Sequence, residues 1–216
     1  EEELINYAVN CLLDKKIIGW FQGKMEFGPR ALGARSIIAD PRDITMQKKL
    51  NLSIKYRETF RPFAPSILKD EVHNWFDYVV DSPYMLLVDE IKKDKKIKMS
   101  QDEINLFGID KLNIKRSEVP AVTHVDYSAR IQTVDGQYNK RYYKLLKSFF
   151  NRTGCPMIIN TSFNVRGEPI VNEPIEAFNC FMGTEIDVLI CENFILEKSS
   201  QTKKFDKKYK YKYKLD

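Results

Sequence analysis

The sequence predicts an α/β fold, a single domain whose twisted, mixed β-sheet is flanked by helices. Three observations carry that expectation. Short apolar runs bounded by polar turns alternate with segments of helical periodicity along the chain. No stretch is long and apolar enough to cross a bilayer. The 216 residues, 43% of them hydrophobic, suffice for one sizeable core, and no internal repeat divides them.

The elements follow in order. Leu4, Ile5, Ala8, Cys11 and Leu12 recur at helical spacing within residues 3–15. "KIIGWFQG" (16–23) and "RSIIAD" (35–40) read as buried strands on either side of an irregular loop. "RDITMQKKLNLSI" (42–54) is a second helix after Asp40-Pro41, and "RPFAPSIL" (61–68) a strand held straight by Pro62 and Pro65. A short helix over 69–76 and a strand "YMLLVDEI" (84–91) come next. Residues 92–118 are highly charged and aperiodic, which predicts a surface insertion.

Alternation returns over 121–134, "AVTHVDYSARIQTV", placing Val122, His124 and Asp126 on one face of a strand. "YNKRYYKLLKSFFNRTG" (138–154) is a helix with Gly154 as its C-cap. "PMIINTSFN" (156–164) is a buried strand running into a polar turn. "EPIEAFNCFMG" (173–183) is a helix with Pro174 in its first turn. "DVLICENFILE" (187–197) closes the sheet.

The net charge of +5 belongs to the C-terminus. Residues 198–216 hold eight lysines against two aspartates, which is +6 and leaves −1 for the remainder. The domain is therefore expected over 1–197, followed by a basic Lys/Tyr tail at 198–216 that reads as a solvated terminus. Cys11, Cys155, Cys180 and Cys191 sit in apolar company without C-x-x-C spacing, the pattern of reduced thiols in a cytoplasmic protein rather than a disulfide framework. His73 and His124 are too separated to suggest a metal cluster, and His124 reads as a packed residue. The chain opens Glu1-Glu2-Glu3 without an initiator methionine or the basic and apolar regions of a secretory leader, so a piece of a longer polypeptide is expected.

Three stretches place polar groups where a buried strand ends. "GKMEFGPRALGARSI" carries Arg30 and Arg35 around Pro29 and Gly33. "KYRETFRPFAPS" carries Lys55, Arg57 and Arg61. "NTSFNVRGEP" carries Asn160, Thr161, Ser162, Asn164, Arg166 and Gly167, and "SARIQT" adds Arg130 and Gln132. Ligands of open α/β sheets collect at strand ends, and guanidinium groups there suit phosphate oxygens. Glu26, Asp40, Asp43 and Glu58 offer any one arginine an ordinary salt-bridge partner. Taken together, Arg30, Lys55, Arg61 and Arg130 point to an anion site, with no reaction specified. Neither a G-x-x-x-x-G-K-[ST] loop nor a G-x-G-x-x-G fingerprint is present.

"GKMEFGPRALGARSIIADPR", "KYRETFRPFAPSIL", "HVDYSARIQTV" and "NTSFNVRGEPIVNEPIEAF" together resemble the C-terminal, YrdC-like domain of the O-carbamoyltransferases of nodulation and antibiotic tailoring. The likeness spans about residues 15–197 and omits 92–118 and the tail. It implies a domain that binds ATP, with its Mg²⁺, and carbamoyl phosphate and makes carbamoyl-adenylate. An N-terminal Kae1-like domain, whose metal lies outside this chain, would pass the carbamoyl group to a hydroxyl. By the same likeness Arg30, Lys55, Arg61, Arg130, Asn160 and Ser162 are the expected ligands, with Lys55, Arg61 and Arg30 closest to the chemistry and Arg35, Gln132 and Asn164 as supporting candidates. A nucleotide-binding module without turnover, or an RNA-binding module using the basic tail, are the alternatives, the second disfavoured by the near-neutral domain. No membrane partner is expected.

Overall fold

Helix α1 (Glu2–Leu13) turns Leu4, Ile5, Ala8, Val9, Cys11 and Leu12 inward, and Glu2 and Glu3 complement the positive end of its dipole. The strands β1 (Ile18–Phe21) and β2 (Arg35–Ala39) are buried on both faces. Then come α2 (Met46–Ser53), β3 (Ala64–Leu68), α3 (Val72–Trp75), β4 (Val88–Glu90), α4 (Gln101–Asn105), α5 (Ile109–Leu112), β5 (Ser128–Arg130), β6 (Gln132–Val134), α6 (Lys140–Thr153), β7 (Met157–Ser162), α7 (Pro174–Met182), β8 (Val188–Cys191) and β9 (Phe194–Glu197). This computed structural model describes residues 1–77, 81–112, 114–202 and 208–213. No helix among the described residues is long and apolar enough to cross a membrane.

Seven strands form one mixed sheet in the order β6-β3-β7-β2-β1-β8-β9, while β4 and β5 make a separate ribbon. The strand β7 runs antiparallel to both neighbours, with Ser162 opposite Ser36 and Asn160 opposite Ala64. The strand β6 runs parallel to β3, with Gln132 opposite Ser66. The C-terminal end of β7 therefore meets the entries to β2, β3 and β6 along one rim. Helix α6 covers one face, sending Tyr142 toward Trp20 and Ser66. The core is continuous through Trp20, Ile37, Ile38, Leu146, Phe149, Ile158, Phe163 and Phe181, all fully buried. Each such side chain contributes about 1.5–3 kcal/mol by leaving water, so the rim rests on a rigid base.

The structure departs from the sequence pattern in four places. Residues 121–134 are broken instead of forming one strand, because the Asp126 carboxylate captures the Ser128 N–H and hydroxyl at 3.0 and 2.7 Å and turns the chain. A 3₁₀ turn (Pro120–Val122) precedes that break and β5 and β6 follow it, so Val122, His124 and Asp126 share no strand face. The run 84–91 keeps only Val88–Glu90 as strand; Leu86, Leu87 and Val88 are exposed and Met85 has φ 55°. Residues 187–197 form a hairpin, turned at Glu192 with φ 52°. The helix expected over 42–54 begins at Met46, since Asp43 accepts from the Thr45 N–H at 2.8 Å. Within 92–118, helix α4 carries a Ser100–Glu103 capping box, and Arg116 and Ser117 are buried where the segment rejoins the core.

Candidate active site

The rim loops bring the polar residues together through a hydrogen-bonded chain on one face of the sheet. The Tyr142 hydroxyl donates to Ser66 Oγ at 2.9 Å, and Ser66 donates to Gln132 Oε1 at 2.5 Å. Asn160 Nδ2 donates to the same Gln132 Oε1 at 2.8 Å and to the Ala31 carbonyl at 3.0 Å. Gln132 Nε2 donates to the Leu32 carbonyl at 2.9 Å. The loop carrying Arg30 is thus tied directly to β6 and β7. Asn160 Oδ1, at the end of this chain, is buried and has no partner.

Arg30 precedes Ala31 in the tethered loop, and Arg130 ends β5 two residues before Gln132. Both side chains bury their Nε without a hydrogen-bond partner. Burial lowers the pKa of Arg130, and the nearby charge of Arg30 lowers it further. Two cations held together with unfilled donors are an arrangement that an anion would relieve.

Lys55, just past the end of α2, reaches the end of β7 with its side chain. Lys55 is 4% exposed, and its three ammonium protons are shared among Ser162 O at 2.6 Å, Asn164 Oδ1 at 2.8 Å, Asn164 O at 2.9 Å and Ser162 Oγ at 3.2 Å. Burial pushes its pKa down to about 7, with the charge of Arg57 adding to the effect. Lys55 therefore clamps the turn that leaves β7 and brings positive charge beneath it. Ser162 Oγ donates to Asn164 Oδ1 at 2.7 Å, closing the turn.

Arg57, Arg61 and Arg166 gather around the exposed Glu58. Arg61 Nε lies 3.3 Å and Arg166 Nη1 3.9 Å from its carboxylate. Arg57 donates from Nε to Asn51 Oδ1 at 2.6 Å and lies over the Phe63 ring. Its pKa is lowered to about 10, first by burial and then by Arg61. Arg61 is half-exposed, on the surface side of this group.

Arg35 is placed differently. It is 4% exposed, and its five donors are taken by the carbonyls of Gln22, Gly23, Ala34 and Asn172 at 3.0–3.3 Å, above the Phe21 ring. It braces the loop from below and has no donor left to offer a ligand. Glu26, which sequence reasoning saw as a salt-bridge partner, instead accepts the Leu32, Ala34 and Arg35 N–H groups on Oε1.

Sequence reasoning gave Arg57 no ligand role, and it missed Tyr142 and Ser66 entirely. The Lys55-x-Arg57 and Ser162-x-Asn164 spacings were the available signal for the first. Nothing local marks the other two, which matter only through packing. His124 is half-buried in a neighbouring hollow of about 490 Å³ with Phe60, Pro62, Arg116 and Val125, and burial lowers its pKa. A second hollow of about 210 Å³ opens beside Leu32 and Gln132, walled by Tyr84, Asp81 and Tyr138.

The family described as "Carbamoyltransferase C-terminus" matches residues 9–198. The chain belongs to that family. Among relatives, nodulation protein NolNO of Sinorhizobium fredii is 38% identical over 91% of this chain and 26% of its own length. The 3'-hydroxymethylcephem-O-carbamoyltransferase of Amycolatopsis lactamdurans is 33% identical over 75% of this chain and 27% of its own length. The chain thus spans about a quarter of the length of these carbamoyltransferase-family relatives. Its fold is shared with a solved structure of full-length HypF in a phosphate- and nucleotide-bound form, at TM-score 0.50 and 17% identity, covering 94% of this chain and 22% of HypF. The carbamoyltransferase family expected from the motifs, and the mixed α/β sheet flanked by helices, are therefore those found.

Proposed function

We propose that this chain is the carbamoyl-activating part of an ATP-dependent O-carbamoyltransferase, converting ATP and carbamoyl phosphate to carbamoyl-adenylate at the rim of β2, β3, β6 and β7. The observation that supports this reading is the set of buried, unpartnered polar atoms: Arg30 Nε, Arg130 Nε and Asn160 Oδ1. Two donors and an acceptor lie along the rim where the Lys55 ammonium is buried under the turn that leaves β7, and they suit a ligand that is anionic at one end and carries N–H or O–H groups at the other. Phosphates and a carbamoyl amide have those properties.

The balanced step is an exchange at phosphorus. Water first releases inorganic phosphate from carbamoyl phosphate. A carbamate oxygen then attacks the α-phosphorus of ATP, the bond to the β-phosphate oxygen breaks, and pyrophosphate leaves with the electron pair. Two anions must approach, so the protein's task is positioning and charge neutralisation rather than proton transfer.

Arg30 and Arg130 would hold the nucleotide phosphates. Arg57 and Arg61, with Glu58 releasing them, would receive carbamoyl phosphate. Lys55 fixes Ser162 and Asn164 and supplies charge under the transferred group, while Asn160 accepts from the carbamoyl amide. Among the described residues no group of three or more His, Cys, Asp or Glu side chains converges. A cationic rim fits Mg²⁺ carried on the triphosphate by phosphate oxygens and water. Magnesium would there neutralise the phosphates and the departing pyrophosphate. Transfer of the carbamoyl group to a hydroxyl would fall to a further domain of the kind these longer relatives have room for.

The test is pyrophosphate formation from ATP, Mg²⁺ and carbamoyl phosphate. Arg30→Ala and Arg61→Ala should each lower it by about a hundredfold or more, with the fold retained by circular dichroism. Undiminished turnover in both variants overturns the assignment, and binding of ATP without pyrophosphate would favour a non-catalytic nucleotide module.

A further inference from the structure

The C-terminal tail does more than its lysine-rich composition suggests. Tyr209 is 5% exposed, packed where α7 ends. Its ring lies so close to Gly183 that a β-carbon there would come within 2.1 Å of it, so only glycine admits the contact. The Tyr209 hydroxyl donates to Glu168 Oε1. Tyr213 packs edge-on against it with ring centroids 5.8 Å apart. From the other side, Tyr56, the neighbour of Lys55, donates to the Gly183 carbonyl at 3.3 Å.

Glu168 links this anchor to the rim. Its Oε2 accepts the Val165 N–H at 2.8 Å, and its backbone carbonyl accepts Asn164 Nδ2 at 2.7 Å. Asn164 Oδ1 receives Lys55 Nζ and Ser162 Oγ. From the Tyr209 hydroxyl to the Lys55 ammonium the route crosses only Glu168 and Asn164. The family match ends at residue 198, so this contact comes from a part of the chain outside it.

We propose that Tyr209 is a positioning residue, and that residues 209–213 act as a strap which, through Glu168, holds the Ser162–Asn164 turn in its ligand-ready shape and so sets the affinity for ATP. The inference rests on reading that turn as part of the nucleotide site. Physically, the last backbone bond from this strand to β2 is the Phe163 N–H to the Arg35 carbonyl at 3.0 Å. Beyond it, among the described residues, 164–168 bond to no strand; two short backbone bonds within the turn, Asn164 N–H to Ser162 O and Glu168 N–H to Val165 O, are joined by side-chain restraints, two of which meet at the Glu168 carboxylate. A hydrogen bond to a charged acceptor is worth about a tenfold shift in an equilibrium, or somewhat more.

The decisive variant is Tyr209→Phe, which keeps the ring against Gly183 and removes only the donor. Two measurements are made on the intact protein: amide hydrogen exchange across residues 163–168, and the dissociation constant for ATP with Mg²⁺ by calorimetry. The expected result is exchange about tenfold faster in that turn and ATP binding about tenfold weaker, with the melting temperature little changed. Glu168→Gln should weaken binding too, and the double variant should be no worse than Glu168→Gln alone. Unchanged exchange in Tyr209→Phe overturns the strap, and faster exchange with unchanged ATP affinity overturns its link to the site. Should the wild type bind ATP yet form no pyrophosphate, these measurements still decide the strap, and the catalytic reading alone falls.

Discussion

Arg30 and Arg130 stand near enough that the charge of Arg30 adds to burial in lowering the Arg130 pKa, and each buries its Nε without a hydrogen-bond partner. Each unmade hydrogen bond of this kind costs about 1–3 kcal/mol. The loop bearing Arg30 is fixed to Asn160 through Ala31 and to Gln132 through Leu32, which keeps its arginine in this place.

Pyrophosphate is therefore expected to stabilise the protein. At a hundredfold excess over its dissociation constant the gain should be about 3 kcal/mol, read as a rise in melting temperature. Arg130→Met, which keeps the aliphatic stem, should abolish that rise without lowering the melting temperature of the ligand-free protein.

Lys55 gives a pH dependence with a definite sign. Its folded pKa of about 7 lies below the usual 10.5 because burial disfavours the charge. Between those values the unfolded chain binds a proton that the native protein has released, so stability from this group rises with pH across that window. The penalty is fully present below pH 7. Urea titrations should show a slope of up to about 1 kcal/mol per pH unit that is lost in Lys55→Met. On the proposed mechanism, in which Lys55 acts as an ammonium, pyrophosphate formation should fall over the same range.

Arg35 belongs to the scaffold. Arg35→Met should cost about 3 kcal/mol, because it strands the carbonyls of Gln22, Gly23, Ala34 and Asn172 in a buried place. Arg35→Lys should recover little of that loss, since a single ammonium cannot reach in so many directions. Denaturant unfolding measures both.

Gly33 is a sharper probe of the polar chain. It has φ +106°, and a β-carbon there would lie 2.4 Å from the Tyr142 ring. Gly33→Ala should destabilise the protein by about 2–4 kcal/mol and displace Tyr142 from Ser66. Weakened ATP binding should accompany the lost stability, measured by calorimetry on the folded fraction.

Much of the sheet was legible because β1, β2, β7 and β8 are apolar runs with clear boundaries, and α6 and α7 carry their own caps. Residues 121–134 were not, because alternation cannot reveal that Asp126 will bend the chain onto Ser128. The apolar run at Leu86–Val88 misled for the opposite reason: its side chains face solvent. For the rim, charge at strand ends singled out Arg30, Lys55, Arg61 and Arg130; the structure sets Arg30 near Arg130, turns Lys55 onto Ser162 and Asn164, and leaves Arg61 half-exposed beside Glu58. Charge could not separate Arg30 from Arg35, which share one loop yet point to different fates. Tyr209 was invisible, since its burial depends on a glycine 26 positions away rather than on its lysine neighbours.

The direction of β7 has a practical consequence for anyone handling the protein. With its C-terminal end committed to the rim, the opposite border of the sheet, where Ile18, Ala39, Leu68 and Met157 lie, is free of those polar groups. The Asp14–Lys16 bend opens onto that quiet border, so a fluorophore attachment or short epitope spliced there should leave the anion-facing side untouched.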